Sequence, residues 1–165
     1  MATNDKQLIG RTTLVTVGGV TDVPAKVDTG ADSSCIWASD VQEVDDVLSF
    51  VLFGRASPYF SPQRITLGAG AYRRTRVASS SGHRQARYAV MLPIEISGVR
   101  MQVRFTLTNR ETMVYPILLG RDMLADRFLV DVSQAVPVRL QEALKSQKRS
   151  RVHALKLAKS NEGAK

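Results

Sequence analysis

Between Thr12 and Val132 apolar residues recur at alternate positions in short runs, spaced too closely to admit the crossover helices of a parallel sheet. "TTLVTV" at Thr12 to Val17 reads as a strand closed by Gly18-Gly19 in a tight hairpin, and Val23 to Val27 answers it. "SCIWA" at Ser34 to Ala38 predicts a third short strand, then an acidic loop with Asp40, Glu43, Asp45 and Asp46, then "VLSFVLFG" at Val47 to Gly54. Pro58 and Pro62 mark a surface excursion. Two long extended segments follow, Arg73 to Ala78 and His83 to Ile96, joined by the turn "SSSG" at Ser79 to Gly82. Gly98 turns the chain into "VRMQVRFTLT"; beyond Pro116 come the apolar strand "ILLG", a short helix at Arg121 to Asp126, and a last strand "RFLVDV". This pattern predicts an all-β fold, a small sandwich or closed barrel with one short core helix, and excludes a wound α/β sheet.

At 165 residues the chain is long enough for one domain with a core of its own. A single cysteine, Cys35, excludes an intrachain disulfide, and beside Trp37 it reads as a buried small hydrophobe. The first ten residues lack the basic and apolar regions of a secretory leader, and no apolar run reaches the roughly 18 residues of a membrane span. These features predict a protein of the reducing cytosol, without a membrane association.

The net charge of +8 sits mostly at one end. From Gln134 onward there are eight basic residues against two acidic ones, leaving fifteen against thirteen before it. The expected division is therefore a domain over 1–136 and a basic tail over 137–165, partly helical or disordered. Leu140 and Leu144 share a helical face, as do Val152 and Leu155, but "QKRSR" interrupts the stripe, which predicts a frayed or partner-induced helix. The tail has no Phe, Tyr or Trp to stack on bases, so nucleic acid is not the expected partner.

The chemistry concentrates in "AKVDTGADSSC", Ala25 to Cys35. An acid at the end of a buried strand is costly unless something pairs or uses it, and the glycine that follows calls for a tight turn. A second segment, "VYPILLGRDML", repeats the plan of "VPAKVDTGADS": an apolar strand running into Gly-X-Asp. With its apolar-Asp-Thr-Gly-Ala-Asp, a long hairpin, and apolar-Leu-Leu-Gly-Arg-Asp-Met-Leu in that order, the chain resembles the retropepsins, dimeric aspartic proteases of retroviruses and their cellular relatives. "AKVDTGA", "VASSSG", "LTNRETMVYPILLGRDML" and "FLVD" look most like the bacterial retropepsin-like group associated with ATP-grasp glutamate ligases that lengthen ribosomal protein tails.

That resemblance implies peptide hydrolysis between two carboxylates that share one proton, since both cannot ionise side by side. With one Asp-Thr-Gly per chain, the resemblance implies a homodimer in which Asp28 of each copy supplies half of the dyad. Thr29 would then brace the two-fold axis, Gly30 and Ala31 would leave room for substrate backbone, and Asp32 would pair with Arg121 and line the site. The hairpin from Arg73 to Tyr88 would be a flap, with Ser80, Ser81 and Gly82 at its tip. It carries Arg73, Arg74, Arg76, Arg84 and Arg87 and no acid, so Arg76 and Arg84 are candidates for holding an acidic or oligoglutamyl peptide. The acids between Asp40 and Asp46 are candidates for a salt-bridge latch onto those arginines.

Members of this group often carry a zinc-protease label, but the chain has no His-Glu-x-x-His, and its two histidines, His83 and His153, lie far apart in sequence. No metal and no cofactor is expected. Three readings remain: an aspartic endopeptidase, a catalytically weak relative of the same fold that binds and tunes a glutamate ligase, and, least expected, a nucleic-acid binder working through the basic tail and the hairpin.

Overall fold

The computed structural model describes residues 6–78 and 82–162. Its first strand, β1 (Gln7–Gly10), is followed by the hairpin of β2 (Thr12–Val17) and β3 (Val20–Val27). Next come β4 (Ser34–Val44), β5 (Val47–Leu52), β6 (Arg64–Leu67), β7 (Tyr72–Ala78), β8 (Arg84–Ile96) and β9 (Val99–Thr108). β10 (Ile117–Leu119), the single-turn helix α1 (Arg121–Leu124), β11 (Phe128–Asp131) and the long helix α2 (Val138–Glu162) complete the chain.

Six of these strands close on themselves in the order β10, β3, β2, β8, β9, β4 and back to β10, giving a closed all-β barrel of the kind the resemblance implies. Closure leaves no open edge among those six. Inside, Val15, Val23, Ile36, Phe50, Phe53, Val90, Phe105, Ile117 and Leu119 form a fully buried core. The alternation read in "TTLVTV" and "VRMQVRFTLT" corresponds to one face of each strand turned toward that core.

Three tight hairpins set the registers. Asp45 and Asp46 turn β4 into β5 with φ of 49° and 59°, and Ser97 and Gly98 turn β8 into β9 with φ of 50° and 81°. Two consecutive left-handed residues match the twist of antiparallel strands, and aspartate tolerates that conformation better than most side chains. The third, Gly18-Gly19, joins β2 to β3 as the sequence predicts.

Three departures from the expectations matter most for the site and the tail. The third strand does not stop at Ala38 but runs on to Val44, so Asp40 and Glu43 stand on a strand and not in a loop. The ladder slips between Ser39 and Gln42, with Asp40 at φ 50°, and this bulge re-aims the second half of β4 away from the barrel. β1 also went unrecognised; it pairs in parallel with β11, Leu8 opposite Leu129, across nearly the whole chain.

The third departure is the tail. α2 is one continuous helix, docked and not frayed: Leu144 is buried, and the Arg151 guanidinium lies 5.3 Å over the Trp37 ring while donating to the Met113 carbonyl at 3.1 Å. Burial pushes the Arg151 pKa down, and the ring face supplies the partner that replaces part of its hydration. Truncating Leu144 to alanine should therefore lower global stability by about 2–3 kcal/mol. Urea unfolding of the two proteins at equal concentration checks this, and an unchanged midpoint would show that the helix adds nothing to the fold.

Candidate active site

β3 ends at Val27 in register with Leu119 of β10, its parallel neighbour, so the two strands deliver Asp28 and Gly120 side by side. The Asp28 N–H donates to the Leu119 carbonyl at 2.9 Å, which ties the start of the acidic turn to the end of the apolar strand. Within the turn the Gly30 N–H donates to Asp28 Oδ1 at 3.0 Å and the Ala31 N–H to the Asp28 carbonyl at 3.2 Å. One carboxylate oxygen is thus held by backbone, while Asp28 itself stays half-buried at the surface of this chain.

The second motif closes over the first. Arg121 N–H donates to the Ala31 carbonyl at 2.8 Å and Asp122 N–H to the Asp32 carbonyl at 3.2 Å. Ser34, fully buried, accepts from the Gly120 N–H at 3.0 Å and donates to Asp122 Oδ1 at 3.2 Å. Gly120 has ordinary extended dihedrals, φ −91° and ψ 176°, so it is not there for a special conformation. It is there for space: a Cβ would lie 2.5 Å from the Ser33 carbonyl carbon and 2.6 Å from its oxygen. The near-repeat seen in the sequence is thus two turns threaded through each other.

Arg121 forms the ion pair with Asp32. Both side chains are well exposed in the single chain, 59% and 87%, and a pair so placed contributes little to folding. Thr29 and Gly30 are exposed and Ala31 half-buried beside Asp28, so all five residues of the turn gather with Arg121 in one place.

The hairpin of β7 and β8 stands apart from that cluster. Arg76 lies opposite Ala86 and Arg84 opposite Ala78, which puts both arginines, exposed, on one face near its end. Gly82 is exposed at φ 80°; Ser80 and Ser81 lie outside the described residues. Among the described residues no hydrogen bond or ion pair joins this hairpin to the Asp28 turn.

Of the acids read as a possible latch, one makes the contact. Glu43 accepts from Tyr72 Oη at 2.5 Å, Tyr88 Oη at 2.7 Å, and Arg74 at 3.0 Å (Nε) and 2.6 Å (Nη2). Hydrogen bonds from the two phenols, then from Arg74, hold its carboxyl down at about 2. A carboxyl depressed from 4.5 stabilises the fold fully above pH 4.5, and that contribution is lost as pH falls through about 2. Neither tyrosine was singled out from the sequence, and neither were Ser34 and Asp122. A serine inside an apolar strand and an acid at the head of a helix were the available signals for the last two.

The sequence profile of a family described as RimB-like, retropepsin-like aspartic endopeptidase RimB, matches residues 9–140. The chain is 33% identical over 123 residues to a probable alpha-L-glutamate ligase of Shewanella pealeana, covering 71% of this chain and 26% of that one. A protein of the same description from Desulfotalea psychrophila is 28% identical over 116 residues, 68% of this chain and 25% of its own. The chain therefore spans about a quarter of the length of the curated relatives it matches. Among solved structures, a protein of unknown function from Legionella pneumophila superposes with a TM-score of 0.62 at 24% identity, over 78% of this chain and 95% of that one, a likeness of fold.

Proposed function

Because the chain belongs to the RimB-like family of retropepsin-like aspartic endopeptidases, we propose that two copies of it assemble into one peptidase with an Asp28 carboxylate from each. The observation that carries this reading is the Asp28 turn itself, present once per chain and locked by the Gly120 crossing. An acid held at a surface by backbone hydrogen bonds, and half-buried in one copy, is suited to meeting its equivalent across a two-fold axis.

Further support for the dimer comes from the small β1–β11 sheet. Leu8 and Leu129, opposite each other in its register, are 56% and 57% exposed, and Val132 beyond them is 70% exposed. Apolar side chains gathered at an unpaired sheet edge favour association.

In the dimer one carboxylate is ionised and takes a proton from water as that water attacks the scissile carbonyl carbon. The other, protonated, donates to the carbonyl oxygen and stabilises the developing charge. Thr29 braces the turn, Gly30 and Ala31 admit the peptide backbone, and the Asp32–Arg121 pair lines the cleft. The arginines of the β7–β8 flap, Arg76 and Arg84 foremost, attract an acidic peptide, with oligoglutamyl tails the extreme case. Among the described residues no helix is long and apolar enough to cross a membrane, and we place the proposed activity in the cytoplasm on the sequence reading of a single cysteine and no secretory leader.

A second reading is favoured by the relatives. The segment they share with this chain is about a quarter of proteins named probable alpha-L-glutamate ligases, so the same domain occurs in chains so named. In that reading the chain binds such a ligase and regulates it with little turnover of its own.

Incubating the full chain with a peptide pool that includes acidic, oligoglutamyl and neutral members separates the two. The peptidase reading expects cleavage of the acidic members, with KM raised about fivefold or more when Arg76 and Arg84 are both made serine. A well-formed dimer that cleaves nothing favours the regulatory reading, and cleavage indifferent to both arginines removes the acidic-substrate assignment.

A further inference from the structure

Two strands leave the barrel from the opposite edges of β9. β4 pairs with β9 only through Ser34–Trp37, and beyond the bulge at Asp40 it pairs with β5 alone. β8 pairs with β9 from Ala89 onward, and its first five residues, Arg84 to Tyr88, pair with β7 alone. The backbone ladder that would fix one arm against the other therefore ends where the β7–β8 hairpin begins. Across that gap reaches Glu43, from the far half of β4.

Its carboxylate receives four hydrogen bonds, and all four come from the base of the hairpin. Tyr72 and Arg74 stand on β7 and Tyr88 on β8, with Arg74 directly opposite Tyr88, so one side chain grips both strands. The two phenol rings meet edge to face at 5.9 Å, and Glu43 is only one-tenth exposed beneath them. Among the described residues, every side-chain hydrogen bond from the hairpin to the rest of the chain ends on this carboxylate.

We propose that Glu43 is the positioning residue of the flap: it pins the base of the β7–β8 hairpin to the β4–β5 arm and so sets where the flap bends. Residues above the pin have only their own hairpin ladder and move; residues below it belong to the barrel and do not. The consequence for catalysis, that a flap hinged in one place presents its arginines to substrate in one register, rests on the peptidase reading above. Glu43 touches no reacting atom and acts through the hairpin alone.

Amide hydrogen exchange on the full chain tests the pin directly. Glu43→Gln should raise exchange in 72–78 and 84–88 by about tenfold, as expected for losing a charge-assisted anchor, and leave β9 at its wild-type rate. Tyr88→Phe removes one donor and keeps the carboxylate, and should raise exchange in the same two segments by a smaller factor. Flap exchange unchanged in both variants, or a rise in β9 equal to that in the flap, overturns the proposal. On a peptide that the wild type cleaves, Glu43→Gln should raise KM several-fold with kcat within about twofold, whereas a loss confined to kcat would contradict a positioning role. If the wild type cleaves nothing, the peptidase reading fails, while the contrast between flap and β9 exchange still decides the pin.

Discussion

Asparagine at position 28 should leave the protein folded and dimeric and reduce peptide hydrolysis by about a thousandfold or more. The turn survives because the Gly30 N–H needs only an oxygen at Oδ1, and the asparagine side-chain carbonyl supplies one. What is lost is the carboxylate: an amide cannot take a proton from water, and a dyad of two amides has no base at all. Mixing makes the test sharper. Subunits carrying Asp28→Asn, added in excess to wild type and allowed to exchange, should remove activity faster than dilution does, because each mixed dimer holds one carboxylate where two are required. Product formation from one acidic peptide, followed against the ratio of the two chains, gives the readout. Activity that falls only in proportion to the wild-type fraction would mean that each chain works alone and that the two-fold dyad is wrong.

Alanine at Gly120 is expected to do severe structural damage. The added carbon would sit 2.5 Å from backbone of Ser33, and no rotamer can move a Cβ. Either the Ser33 backbone or the β10–α1 junction must shift. The junction carries bonds that build the site, two of them to residues close on either side of Ser33: Asp28 N–H to Leu119, Arg121 N–H to Ala31, and Gly120 N–H to Ser34. The expected cost is about 2–4 kcal/mol, which in a chain of this size lowers Tm by roughly 5–15 °C. Activity should fall with it. Gly68→Ala makes the control, since a Cβ there meets nothing within 4 Å and the residue has no left-handed φ. Thermal melts at one protein concentration compare the three, which matters if dimer formation contributes to stability. A Gly120→Ala protein that melts with wild type would show that the two turns are not threaded as tightly as described.

Much of this site is local, and for that reason legible. Asp28, Thr29, Gly30, Ala31 and Asp32 are consecutive, and a strand that ends in an acid and a glycine announces a turn with a purpose. The second turn repeats the same signal ninety residues on. That the two thread together through β3–β10 pairing was readable only from their likeness, because nothing in either segment names its partner. The alternation of apolar residues gave β2, β8 and β9 away, since each has one face on the core. β6 escaped because Pro58 and Pro62 just before it signal a surface excursion, and β1 escaped because it owes its existence to β11 at the other end of the chain.

Glu43 shows why the remainder stayed hidden. In "DVQEVDD" three other acids crowd around it, and a run so acidic reads as solvated loop. Only the bulge at Asp40 turns it into a strand whose glutamate faces Tyr88, 45 residues away. The helix at the end of the chain has the same history: its broken apolar stripe predicts fraying, and Arg151 over Trp37 supplies a contact that no apolar stripe would reveal. The sequence by itself determined the fold class, the Asp28 turn and its companion at Gly120, because periodicity and turn chemistry are properties of neighbours along the chain. The tertiary structure alone decided which distant side chains meet, the Glu43 pin and the docked helix among them, because burial and hydrogen bonding depend on what the completed barrel brings within reach.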